Sequence, residues 1–139
     1  MKAWRIGLAL VALMCAVFVC AVAEAETKTG FCGADGDNLI WTLDDDGTLT
    51  ISGTGSMENY SYTATYVNDR YVNLTTAPWG EKITSVDIEY GVTNIGDYAF
   101  CGCGSLTSVI IPCSVTSIGK SVFSGCRNLT STIIRFHPE

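Results

Sequence analysis

The sequence predicts a mainly β protein: a short solenoid of stacked repeats, closed at its N-terminal end by a β-hairpin. Three observations carry that expectation. The chain matches itself at an offset of 23 residues, each unit of the match opens with alternating apolar residues, and a second alternating region upstream is broken by an Asp-Gly turn. A short repeated unit cannot bury its apolar side alone, so repetition of this kind signals stacked coils sharing one core.

Taken in order, residues 1–25 read as a secretory signal peptide. Lys2 and Arg5 precede an apolar run from Ile6 to Val22, and Ala23-Glu24-Ala25 supplies small residues for cleavage after Ala25. The alternative is an uncleaved membrane anchor, for which the run is slightly short. Cys15 and Cys20 follow Met14 and Val19, a poor match to a lipoprotein signal. Cleavage removes Lys2, Arg5 and Glu24 and leaves 6 basic and 13 acidic residues, a net charge near −7. Such a chain lacks the clustered Lys/Arg that nucleic acid or an anionic membrane surface requires. No stable membrane insertion is expected after cleavage.

Residues 26–80 form the expected cap. Asn38 to Leu43 and Thr48 to Ser52 alternate, and Asp44-Asp45-Asp46-Gly47 between them is turn-forming, which makes a hairpin. The hairpin would cover the open end of the solenoid, because a bare sheet edge invites aggregation. Residues 57–77, MENYSYTATYVNDRYVNLTTA, show no clear period and are expected to be an irregular extension, with Trp79 anchoring into the first coil.

Residues 81–134 are the repeats. Ile83-Thr84-Ser85-Val86-Asp87-Ile88 lies over Leu106-Thr107-Ser108-Val109-Ile110-Ile111, and a third unit opens at Leu129-Thr130-Ser131. Further on, Val92-Thr93 falls on Val115-Thr116, Phe100 on Phe123 and Cys103 on Cys126. The apolar alternation gives each unit a short strand with alternate side chains inward. Val115 to Ile118 is a second short segment, ended by Gly119. Equivalent residues should stack as ladders, Phe100 on Phe123 and Cys103 on Cys126. Residues 135–139 are a tail, in which His137 is expected to be frayed.

The remaining cysteines are Cys32, Cys101, Cys103, Cys113 and Cys126. An odd number cannot all pair internally in an exported chain. Burial as small hydrophobes is the simplest reading of Cys103 and Cys126, with a disulfide, a metal site or a reactive thiol as alternatives. Asp44-Asp45-Asp46 lacks the spacing of a calcium loop and reads as a solvated turn. Cys101 and Cys103 are too close in sequence for a zinc knuckle. With one histidine, no nucleophile elbow and no phosphate loop, no catalytic or metal site and no cofactor is expected, and the chain is not read as an enzyme.

What is left is surface. The residues between the inward positions face outward and fall into columns: Ser85, Ser108 and Ser131; Asp87, Ile110 and Ile133; Glu89, Pro112 and Arg135. An outward Ile110–Ile133 pair beside hydroxyls and mixed charge is a candidate contact patch, because solenoids bind along extended faces. The alternative is ordinary surface.

The motifs GVTNIGDYAFCGCGSLTSVIIP and SVTSIGKSVFSGCRNLTS resemble the leucine-rich repeats of the BspA type, found in many bacterial surface and secreted proteins. GDNLIWTLDDDGTLTISGTGSM followed by APW is similar to the lead-in of such proteins. The resemblance implies a leucine-rich-repeat solenoid that is secreted or displayed at the cell surface. It would contact a protein or a glycan, with adhesion to host or extracellular matrix as one form. It also makes the N-x-S/T triplets at Asn59, Asn73 and Asn128 incidental. The array is short and departs from the family pattern at IIRFHPE, so the alternative is a structural N-terminal module or truncated remnant of a larger surface protein.

Overall fold

The computed structural model describes residues 25–137, and all of the expected signal segment but its last residue, Ala25, lies outside them. Eleven strands follow in order: β1 (Lys28–Gly33), β2 (Gly36–Leu43), β3 (Thr48–Gly53), β4 (Gly55–Ser56), β5 (Tyr62–Val67), β6 (Arg70–Thr75), β7 (Ser85–Ile88), β8 (Val92–Ile95), β9 (Ser108–Pro112), β10 (Ser117–Ile118) and β11 (Ser131–Arg135). The long sheet runs β1-β2-β3-β7-β9-β11, and a smaller one runs β10-β8-β4. The protein is mainly β, a short leucine-rich-repeat-like solenoid with a hairpin-built cap, as the alternation predicts.

The coils stack in the register that the offset dictates. Ser85, Val86 and Asp87 pair in parallel with Ser108, Val109 and Ile110, and Ser131 to Arg135 pair with Ser108 to Pro112. Side chains repeat the same bonds: Thr84 Oγ1 donates to the Asp46 carbonyl at 3.0 Å, Thr107 Oγ1 to that of Thr84 at 3.1 Å, and Thr130 Oγ1 to that of Thr107 at 3.5 Å. Inside, Val86, Ile88, Val109, Ile111, Ile95, Leu106 and Phe100 are buried, and the Phe100 and Phe123 rings stack at 5.7 Å.

The cap is more than a hairpin. β1 adds a third antiparallel strand at the edge of β2–β3. β3 then pairs in parallel with β7, and β4 in parallel with β8. Leu49 and Ile51 thereby occupy the inward positions of Val86 and Ile88. Further along, Tyr60 N donates to the Asp97 carbonyl at 2.9 Å, and Asn59 Oδ1 accepts from Asp97 N at 2.9 Å. Residues 48–60 are thus a first coil of the solenoid. Their offset from the next is 37 rather than 23, since Thr48 pairs with Ser85.

The difference is an insertion. Where an irregular stretch was expected, β5 and β6 form an antiparallel hairpin from Tyr62↔Thr75 to Val67↔Arg70. Its turn residues Asn68 and Asp69 both take positive φ (48° and 60°), which suits Asn and Asp at a tight hairpin turn. Its base is closed by Thr76 N donating to the Ser61 carbonyl at 3.0 Å. The hairpin docks on the next coil through Thr75 N to the Cys101 carbonyl at 2.8 Å. Gly102, at φ 78°, lets the Asn73 carbonyl come so close that a Cβ there would overlap it. After the insertion, Trp79 is buried as expected, its Nε1 donating to the Ala99 carbonyl at 3.0 Å.

Candidate contact face

The strands β7, β9 and β11 are parallel and in register, so outward residues form rows perpendicular to the strands. One row is hydroxyl: Ser131, Ser108 and Ser85, continued onto the cap by Thr48, to whose Oγ1 the Ser85 hydroxyl donates at 3.1 Å. The next runs Ile133, Ile110, Asp87 and then Thr50, Thr42 and Thr29. Ile133 is 51% exposed at the end strand, while Ile110, flanked on both sides, is half-buried.

The third expected column does not hold together as an outward row. Pro112 is buried, and only Glu89 and Arg135 stand in solvent. Arg135 instead reaches across β9 to Asp87: Nη2 donates to Oδ2 at 3.2 Å. Nη1 lies 3.2 Å from Oδ1, an ionic contact in which Oδ1 takes no well-directed hydrogen bond. The pair is partly exposed and therefore contributes little to stability, but it fixes a charge pair beside the isoleucines. His137 is not frayed. Its ring packs edge-on against the exposed Tyr90 at 4.4 Å. Tyr90 had no signal in the repeat pattern, because its contact comes from the tail rather than from a neighbouring coil.

The face offers an apolar pair, a hydroxyl row and an ion pair. Of the five described thiols, all free, Cys113 is exposed and the other four are buried or half-buried. Burial, then the nearby Glu58 charge, pushes Cys32 from 9.0 up to about 12, and burial pushes Cys126 up to about 11. Cys103 is driven further the same way by burial and by its neighbouring thiols, and burial raises Cys101. Thiols so protonated are poor nucleophiles. Cys103 and Cys126 stack in successive coils, and each Sγ points at a carbonyl of the preceding coil, Gly80 at 3.6 Å and Phe100 at 3.1 Å. No group of three or more His, Cys, Asp or Glu among the described residues is arranged to hold a metal. No helix among them is long and apolar enough to cross a membrane.

Comparison with known proteins agrees with this geometry. Residues 79–137 match the family model described as BspA type Leucine rich repeat region (6 copies). No protein of curated function matches the chain. The chain is similar to a leucine-rich repeat protein from Eubacterium ventriosum of solved structure, with TM-score 0.61 and 31% identity over 78% of this chain. It spans 26% of that protein's length. Repeats of this family serve as protein-interaction modules and are generally non-enzymatic. Residues 79–137 of this chain are similar to the BspA-type leucine-rich repeat region.

Proposed function

We propose that this chain is exported and displayed at the cell surface, where the outward sheet face binds a protein partner, with adhesion to host or extracellular-matrix protein as its role. The observation that carries this is the row Ile133–Ile110–Asp87, set between the serine row and the Arg135 guanidinium. Buried apolar contact would come from the isoleucines, and the rim of hydroxyls and charge would set register, the usual division of labour at an interface.

The test is surface plasmon resonance of the purified chain over immobilised fibronectin, laminin and collagen, beside the double variant Ile110→Asp, Ile133→Asp. Capture should fall by well over tenfold in the variant while its far-UV circular dichroism is unchanged. Capture that survives the double change would reject this face. The second reading, a structural module of a larger surface protein, is favoured by one observation. Ile118 and Ile134, equivalents of the buried Ile95 and Ile111, stand 53% and 52% exposed on the last strand of each sheet, β10 and β11. On that reading no matrix protein is captured by the wild type either.

A further inference from the structure

The inserted hairpin builds a second surface that the sheet face does not share. Insertions in repeat proteins fall on one side of the array and often carry its binding function. Strand alternation and the pairing register put Tyr62, Ala64 and Tyr66 on one face with Tyr71, Asn73 and Thr75. That face is aromatic without being greasy. Tyr66 and Tyr71 are 71% and 66% exposed and meet edge-on at 5.6 Å near the tip, while Tyr62 lies 5.1 Å from Tyr98 at the base.

Between β6 and the coil turns lies a groove of about 190 Å³, lined by Tyr71, Asn73, Gly102, Ser124, Gly125 and Arg127. The two glycines sit at equivalent positions of successive coils, both at φ 78°, and a Cβ on Gly125 would come within 3.3 Å of the Gly102 Cα. The turn below is fixed by Arg127 N donating to the Gly125 carbonyl at 2.9 Å. Among the described residues Arg127 has no carboxylate partner, and no acidic residue lines the groove.

These features specify a ligand class. The groove is smaller than the roughly 300–1,000 Å³ that holds a drug-sized molecule, so it takes one ring. An exposed tyrosine offers a flat apolar face with a polar edge, which suits the C–H face of a pyranose. Asn73 and Ser124 supply amide and hydroxyl partners for ring hydroxyls. A free guanidinium matches a planar carboxylate with two parallel hydrogen bonds. We propose that this groove binds a hexuronic acid unit of an acidic polysaccharide, with Tyr71 under the ring and Arg127 on its carboxylate. The residues are distinct from those of the sheet face, so the two readings stand or fall separately.

The test is a titration of ¹⁵N-labelled chain with methyl β-glucuronide, methyl β-glucoside and acetate, read from amide shifts. A ligand of this size should bind with a Kd on the order of 1 mM. The expected result is movement of the Gly102, Ser124, Gly125 and Arg127 amides, with the glucoside about tenfold weaker, one charge-assisted pair being worth about that factor. Arg127→Gln should lower glucuronide affinity to the glucoside's level. Tyr71→Ala should weaken both sugars, and Tyr71→Phe should restore them. The spectrum of each variant reports its own folding. Three outcomes would overturn the proposal: no movement of these amides up to roughly 50 mM, well past the expected range; equal affinity for both sugars; or acetate alone reproducing the glucuronide's shifts and affinity.

Discussion

Replacing Trp79 by alanine should remove a large share of the protein's stability, because this one ring joins three parts of the fold. It meets Trp41 of the cap at 6.1 Å and Tyr60 of the first coil at 5.3 Å, both edge-on, and Phe100 of the next coil at 5.8 Å. At 5% exposure it buries almost its whole surface. About 200 Å² at about 25 cal/mol/Å² gives an upper bound of about 5 kcal/mol, and truncations of this kind cost ~3–5 kcal/mol. The lost indole bond adds little, since the Ala99 carbonyl still accepts from Thr75 Oγ1 at 3.3 Å. The expected loss is therefore about 4 kcal/mol, against a total of about 5–15 kcal/mol for a single domain. Trp79→Phe keeps most of the ring contact and should lose only about 1–2 kcal/mol. Urea unfolding followed by far-UV circular dichroism separates the two. An alanine variant within about 1 kcal/mol of wild type would refute the anchoring role, as would equal losses in both variants.

Two further outcomes follow from the same packing. Gly102→Ala forces an L side chain into positive φ and against the Asn73 carbonyl; it should cost about 1–3 kcal/mol and open the hairpin to limited proteolysis at residues 62–75 while the repeats stay protected. The buried thiols make stability fall in alkali. Cys32 keeps its proton up to about 12 in the folded state, whereas an unfolded chain loses it from about 9.0. That stabilisation is complete below pH 9 and is lost as pH rises towards 12, so the urea midpoint should decline from about pH 9 upward. A midpoint flat to pH 11 would contradict the burial of Cys32.

The repeats were legible because stacking demands the same side chain at the same place in each coil, which a 23-residue offset exposes directly. The alignment of Ser85, Ser108 and Ser131 and of Asp87, Ile110 and Ile133 in rows was legible for the same reason. The first coil was not, although Leu49 and Ile51 do the work of Val86 and Ile88. The hairpin inserted after Tyr60 shifts its offset to 37 and so hides it from any search at a constant period. The hairpin itself gave no alternation because both of its faces are largely in solvent, leaving no buried stripe to mark. β1 was silent for a related reason: as an edge strand with Gly30 and Gly33 it buries only its last two residues. The reach of Arg135 over β9 to Asp87 joins strands two apart, a contact that an offset of 23 does not mark.

The central claim is that cap, inserted hairpin base and repeats form one solenoid with one core. The most direct measurement is a far-UV thermal melt of the chain from Glu26 onward, with and without reductant. A shared core gives a β-rich spectrum and a single cooperative transition unmoved by reductant, since the described cysteines are all free thiols. Two separate transitions, or a gradual loss of signal, would show that the cap and the repeats do not share a core.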